Sequence, residues 1–215
     1  MLIACYKIKV ATLISIKTQN FTTVTKITVV PITEWPMDYQ QLTTNRLMLR
    51  KFCKSDLHFI NHHFSNKHVT QFLYDTEPIK TMEEAEELLD WTMDITSGDH
   101  LRWCIVHKRN NTPIGTCGFH QYDKNTKSAE IGYDLDVNFW NQGYMNEALQ
   151  ILLQYAQNYL GLQNITACIA IDNIASEKLI QKLGFHHKMT DPQKHLFRGR
   201  YYAHHIYELC CSHSM

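Results

Sequence analysis

From Leu42 onward the apolar residues recur with two different periods. Arg46–Arg50 alternates, which places Leu47 and Leu49 on one face of a strand. Ser55 is positioned to cap a helix running to Phe64, with Asp56 in its first turn. Thr81-Met82-Glu83-Glu84 has the form of a capping box. The helix it opens carries Ala85, Leu88, Leu89, Thr92 and Ile95 on one stripe, and Gly98 is placed to end it. Trp103–His107, Ile114–Phe119 and Ser128–Leu135 read as strands. The turns at Asn110–Pro113 and Asp123–Thr126 make them an antiparallel meander. A loop over Asp136–Gln142 leads to a helix from about Tyr144 to Leu160, stopped by Gly161. Ile165–Ile171 is β-branched and strand-like, Ala175–Leu183 is helical and stopped by Gly184, and Phe185–Met189 with Tyr201–Leu209 close a sheet as a pair. The order β-α-α-β-β-β-α-β-α-β-β predicts an α/β protein with helices on both faces of a mixed sheet. It lacks the strict alternation of a dinucleotide-binding fold.

Residues 1–36 differ from the rest. They are rich in Thr, Ile, Val and Lys, contain Glu34 as their single acidic residue, and end at Trp35-Pro36 just before Met37. They read either as a short β-rich appendage or as an extension upstream of a start at Met37. The longest clean apolar run of the first 17 residues, Val10–Ile16, is short for the core of a signal peptide. No stretch reaches the ~18–20 apolar residues of a spanning helix, so no membrane association is expected.

Composition changes this picture little. Of 215 residues, 44% are hydrophobic and 20% charged, which suits one packed domain. Lys plus Arg equals Asp plus Glu, at 21 each, which argues against a partner bound by bulk charge such as nucleic acid. Seven cysteines, an odd number without any CxxC spacing, fit a reducing, cytoplasmic compartment. The pairs His186-His187 and His204-His205 lie on strands, where neighbours face opposite sides, so neither pair chelates together. His58 and His62 have the i, i+4 spacing of a helical metal pair, but no third ligand follows from the spacing. No metal is expected.

Chemistry is concentrated at Leu135–Ala148, where an apolar strand runs into a loop and a glycine leads directly into a helix: Trp140-Asn141-Gln142-Gly143-Tyr144-Met145-Asn146-Glu147-Ala148. A helix N-terminus presents unpaired N–H groups and the positive end of its dipole. A glycine there lets backbone approach a ligand, which makes a pyrophosphate site.

Trp140–Ala148 resembles the cofactor loop of GNAT N-acetyltransferases, W-G-K/Q-G-Y-A/M-T-E-A. Asn173-Ile174-Ala175-Ser176 and Lys182-Leu183-Gly184-Phe185 resemble that family's later N-x-A-S and K-L-G-F elements. Leu42–Arg50 with Asp56 resembles the opening of its RimJ/RimL-like branch, the ribosomal-protein N-terminal acetyltransferases. Ile114–Phe119 and Glu130–Tyr133 resemble its central strands. The likeness runs from about Leu42 to Leu209, so residues 37–215 form the expected domain and residues 1–36 carry no motif.

The resemblance implies the GNAT fold, with a mostly antiparallel sheet and two parallel central strands that splay. It implies acetyl-CoA as co-substrate, an amine acceptor, and a monomer or homodimer. Backbone groups of Leu135, Asp136 and Val137 would hold the pantetheine arm, and amides from Gln142, Gly143, Tyr144, Met145 and Asn146 the pyrophosphate. Asn173 would bond to the pantetheine and Ser176 would lie near the thioester sulfur. Met145 and Asn141 are bulkier than the residues many members carry there. The tyrosine that many members use as proton donor falls at Ile180, which has no proton to give, so that role passes to Ser176, to a tyrosine elsewhere such as Tyr202, or to water. Glu130 is the first choice for general base. His195, a residue type that titrates near neutrality, is the second, and His120 the third. The acceptor implied is a protein N-terminal amine. The alternatives are a small-molecule amine (amino sugar, polyamine or antibiotic), or a non-catalytic acyl-CoA-binding module on the same fold.

Overall fold

The computed structural model describes residues 39–73, 77–98, 100–197 and 199–211. The segment 1–36, the start at Met37 and Arg198 lie outside the described residues. In chain order the strands are β1 (Leu42–Thr43), β2 (Leu47–Arg50), β3 (His100–His107), β4 (Thr112–Asp123), β5 (Ser128–Leu135), β6 (Asn164–Ala170), β7 (His186–Phe197) and β8 (Arg200–Cys210). The α-helices are α1 (Leu57–Ser65), α2 (Met82–Met93), α3 (Tyr144–Asn158) and α4 (Ile174–Lys182). No described helix is long and apolar enough to cross a membrane.

Local chemistry explains the element boundaries, with three departures from expectation. Ser55 does not cap α1. A 3-10 turn, Lys54–Asp56, precedes the helix, and α1 has no side-chain cap. The Asp56 carboxylate instead takes Arg50 Nη1 and Nη2, both at 2.7 Å, and the Cys53 N–H at 2.9 Å. At α2, Thr81 Oγ1 accepts the Glu84 N–H at 3.2 Å, but the Glu84 carboxylate accepts from Lys80 rather than from Thr81. The helix then stops at Met93 because Asp94 leaves helical geometry and accepts the Thr96 N–H. Gly98, at φ 67°, closes the following 3-10 turn rather than the helix itself. Ala85, Leu88, Leu89 and Thr92 are buried as the helical period requires.

All eight strands form one sheet in the order β1-β2-β3-β4-β5-β6-β8-β7. Every pairing is antiparallel except β5 with β6. That parallel pair is short. Ser128, Ala129 and Glu130 face Asn164, Ile165 and Thr166, and pairing ends there. The remainder of β5 and of β6 diverge, which is the splay expected of the GNAT fold.

Alternation along β2 and β3 feeds a separate core on each face. Leu47, Leu49, Leu101, Trp103 and Ile105 pack with Ala148, Leu149 and Leu152 of α3. Cys104 and Val106 pack with Ile60 and Phe64 of α1 and Leu88 and Leu89 of α2. The terminal hairpin is longer than its apolar pattern suggested. β7 is an edge strand and mostly exposed. It has no face that must alternate, and its register breaks between Asp191 and His195, around Pro192.

Candidate functional site

The splay opens a cavity of about 470 Å³. Its floor is the diverging part of β5 and β6, one end is the N-terminus of α3, and the other end reaches the α1–α2 face and the β7–β8 hairpin. Of the residues singled out from sequence, Glu130, Leu135, Gly143, Tyr144, Met145, Asn146, Asn173, Ser176, His195 and His120 line it. Asp136, Val137 and Gln142 are not among its walls.

Several groups near Leu135–Val137 already have partners. Leu135 O accepts the Trp140 indole N–H at 2.8 Å, Asp136 N–H donates to Ile114 O at 2.8 Å, and Asp136 O accepts from Phe139 N–H at 2.9 Å. Gln142 O accepts from Arg46 Nη1 at 3.0 Å. The loop therefore holds its own shape through Trp140 and Arg46.

Gly143 is the N-cap of α3 at φ 77°, ψ 7°, and the helix has no side-chain cap. The N–H groups of Tyr144, Met145 and Asn146 occupy the first turn, where no intrahelical acceptor exists. A Cβ built on Gly143 would meet only Arg46 Nη2, at 3.6 Å, so the approach is open. Asn146 Oδ1 is buried on this wall without a hydrogen-bond partner, an acceptor open to an N–H or O–H donor. The bulk of Met145 does not obstruct the loop, because its side chain is 8% exposed and packs in the core. Asn141 sits at φ 58°, a left-handed position that asparagine tolerates better than most residues. An uncapped, glycine-led helix N-terminus beside an unpaired strand edge fits a pantetheine diphosphate.

A clasp holds this terminus in place, and the sequence reading missed it. Glu147 accepts from Thr44 Oγ1 at 2.6 Å, Arg46 N–H at 2.9 Å and Arg46 Nε at 2.6 Å. Partial burial opposes its ionisation, but Thr44 and Arg46 outweigh that and hold its carboxyl below the usual range. The Arg46 guanidinium also lies 4.2 Å over the Tyr144 ring.

A second unforeseen network lies under the cavity. Asp134 on β5 takes His63 Nε2 at 2.6 Å, Arg102 Nη2 at 2.5 Å, and the Thr116 N–H and hydroxyl at 3.1 and 2.5 Å. No spacing in the chain brings α1, β3, β4 and β5 together at one carboxylate. Burial opposes ionisation of Asp134, but Arg102, His63 and Thr116 prevail and its pKa is lowered. Its stabilising contribution is therefore present above the unfolded carboxylate value of ~3.9 and is lost as pH falls through the folded value. Asp134→Ala should cost ~3–5 kcal/mol in denaturant unfolding at pH 7, because Arg102 would be left buried and unpaired. It should also flatten the acid limb of the wild-type stability curve below about pH 4. A variant as stable as wild type at pH 7 would show that the network carries no net stability.

The candidate reacting groups come to the cavity from different elements. Glu130 is 8% exposed and faces His120 across the β4–β5 ladder, with Oε1 3.5 Å from His120 Nε2. Neither His120 nitrogen has a hydrogen-bond partner. Asn173 caps α4 through Oδ1, which accepts the Ser176 N–H at 3.2 Å, so the N-x-A-S spacing is in the first place a helix start. Ser176 Oγ donates to the Tyr133 hydroxyl at 3.0 Å. Burial raises the Tyr133 pKa and keeps it protonated, although the Ser176 bond acts the other way. Tyr133 lines the cavity and was not among the residues singled out as proton donors; alternation along β5 could have flagged it. Ile180 is fully buried in the core. His195 is pushed down to about 4 by burial and by the neighbouring His204, so it does not titrate near neutrality as its residue type suggested.

The protein is similar in sequence and in fold to known acetyltransferases. Residues 46–186 match the Acetyltransferase (GNAT) domain. The uncharacterised N-acetyltransferase p20 of Bacillus licheniformis is 35% identical over 147 residues, which cover 68% of this chain and 82% of that protein. The uncharacterised N-acetyltransferase YoaA of Bacillus subtilis is 33% identical, covering 67% and 81%. Among solved structures, the spermidine N-acetyltransferase from Vibrio cholerae in complex with CoA and spermine superposes with a TM-score of 0.69 at 20% identity, covering 78% of this chain and 96% of that one. The ribosomal-protein-S5-alanine acetyltransferase from Vibrio fischeri does so with a TM-score of 0.70 at 18% identity, covering 82% and 100%. The family match over most of the described fold and the splayed β5–β6 pair agree: the chain belongs to the GNAT acetyltransferase family and is an N-acetyltransferase.

Proposed function

We propose that the protein transfers the acetyl group of acetyl-CoA to a primary amine carrying one positive charge, foremost a protein N-terminus as in the RimJ/RimL-like branch. The observation that carries this reading is the set of carboxylates on the cavity wall. Among the described residues there are two, Glu130 and Asp134, and Asp134 is consumed by Arg102, His63 and Thr116. A polyamine needs several anionic partners, whereas this wall leaves one. The wall towards α1 and α2 carries four aromatic rings, Phe52, Phe64, Phe72 and Trp91, among aliphatic and polar residues. Such walls suit the side chain of a first residue or the body of an aromatic amine. The free state of the six described cysteines supports a reducing, cytoplasmic setting.

Acetyl-CoA supplies an activated acetyl thioester. The amides of Gly143–Asn146 hold its diphosphate, and the unpaired edges of β5 and β6, with Leu135 and Asn173, flank its arm. Glu130 accepts a proton from the acceptor's ammonium, directly or through one water, so that the neutral amine attacks the thioester; His120 Nε2 lies 3.5 Å from its Oε1. Ser176 turns its hydroxyl proton from Tyr133 to the departing thiolate, and Tyr133 turns its own proton to Ser176 Oγ, which takes the part of the tyrosine missing at Ile180.

Thiol release from acetyl-CoA, measured against N-terminal peptides, amino sugars and spermidine, tests the acceptor class. Peptides with a small or apolar first residue are expected to be turned over best, and spermidine as the best acceptor would overturn the reading. Tyr133→Phe and Ser176→Ala should each lower kcat by about 10²-fold while CoA affinity stays unchanged. Full activity in both variants would move the proton donor elsewhere.

A further inference from the structure

Three strands bring metal-capable side chains together on the acceptor side of the cavity. Cys168 of β6, His195 of β7 and His204 of β8 place one ligand atom each within 4.8 Å of one another. The sheet register explains the convergence. Cys168 faces Ile206 and His195 faces Tyr202, so both are diagonal neighbours of His204, one on each side of β8. Residues paired across strands, and residues two apart along one strand, share a face, so all three side chains project the same way. Sequence spacing could not show this, because the ligands lie on three separate strands and His205 points to the other side.

We propose that Cys168, His195 and His204 bind one thiophilic divalent d-block cation, zinc foremost. One sulfur and two imidazole nitrogens form the donor set of a borderline-soft ion. Tetrahedral Zn–S and Zn–N bonds of ~2.3 and ~2.0–2.1 Å bring such ligand atoms to about 3.3–3.6 Å apart, within a small side-chain rotation of the spacing found here. The His204 ring is oriented by the bond from Nδ1 to Tyr202 O, 3.0 Å long. A carbonyl only accepts, so Nδ1 carries the proton and Nε2 carries the lone pair. Metal-binding histidines are usually fixed in this way by an outer partner. Glu130 adds a nearby negative charge that acts on all three side chains. With three protein ligands, the fourth position opens into the cavity, where a water or the donor atom of an acceptor can enter. This inference does not rest on the acetyl-transfer reading.

The test uses the purified full chain, stripped with chelator and titrated with Zn²⁺ or Co²⁺ alone. Binding of one equivalent is expected, and the Co²⁺ form should show tetrahedral d–d bands with a thiolate charge-transfer band. Cys168→Ser should remove the charge-transfer band, and Cys168→Ser and His195→Asn should each weaken Zn²⁺ by more than the ~10–100-fold typical of losing an outer partner. Cys210→Ser, at an exposed cysteine outside the cluster, should change neither. The proposal is overturned by absence of stoichiometric binding, by unchanged affinity in Cys168→Ser and His195→Asn, or by a charge-transfer band that follows Cys210 instead. If Cys168→Ser does not fold, His195→Asn on the half-buried hairpin position decides alone.

Discussion

Gly143→Val is expected to abolish CoA binding while the protein still folds. At φ 77° a β-branched residue is strained, which costs ~1–3 kcal/mol and pulls the backbone away from its present path. The pull acts on the turn that aims the amides of Tyr144–Asn146. There is no packing clash to confuse the result, since the nearest atom to an added Cβ is Arg46 Nη2 at 3.6 Å. Calorimetry should show at least about 100-fold weaker CoA, or ~2.7 kcal/mol. Gly161→Val supplies the control, because Gly161 has a similar φ of 63° and nothing within 4 Å of an added Cβ. It should lose comparable stability and keep CoA affinity. Undiminished CoA binding by Gly143→Val would sink the diphosphate assignment.

Glu130→Gln is expected to lower kcat by about 10²–10⁴-fold with little effect on CoA affinity. Glutamine keeps the shape and the neighbour His120 but accepts no proton from an ammonium. The wild-type rate should rise with pH, because the acceptor is protonated below its own pKa, ~8 for an α-amine and ~10.4 for a lysine. His195 is the rival, but its imidazole is held near 4, so it stays neutral and weakly basic across the assay range. His195→Ala should therefore leave the profile between pH 6 and 9 unchanged in shape. If His195→Ala loses the lower limb while Glu130→Gln keeps full activity, the base lies on the closing hairpin.

The end of the cavity at the start of α3 was largely legible in the chain, because its shape rests on local chemistry. Gly143 must be glycine for its φ, Asn141 occupies a left-handed position that favours Gly or Asn, and the apolar stripe of α3 follows directly. The N-x-A-S element could be read because a cap and the residue it bonds lie three apart. The end of the cavity towards α1, α2 and the closing hairpin was not legible, since its contacts join distant strands. Asp134 with Arg102 and His63, Ser176 with Tyr133, and the Cys168–His195–His204 cluster depend on register and on which face a strand presents. Ser55 misled because a serine before a helix suggests a cap, whereas Arg50 and Cys53 draw Asp56 into that place. Asp136, Val137 and Gln142 fell outside the cavity because the loop satisfies several of its own backbone groups first.

The short parallel pairing has a mechanical meaning. Five strands lie on one side of the cleft and three on the other, joined at only three registered pairs. The last of these is Glu130 with Thr166, at the vertex of the wedge. If the two halves open or close as a ligand enters or leaves, displacement grows with distance from that vertex. The diverging walls of β5 and β6 lie on the long lever, and the hairpin bearing His195 and His204 rides with the smaller half. Glu130 stands at the pivot, where such a displacement would be least.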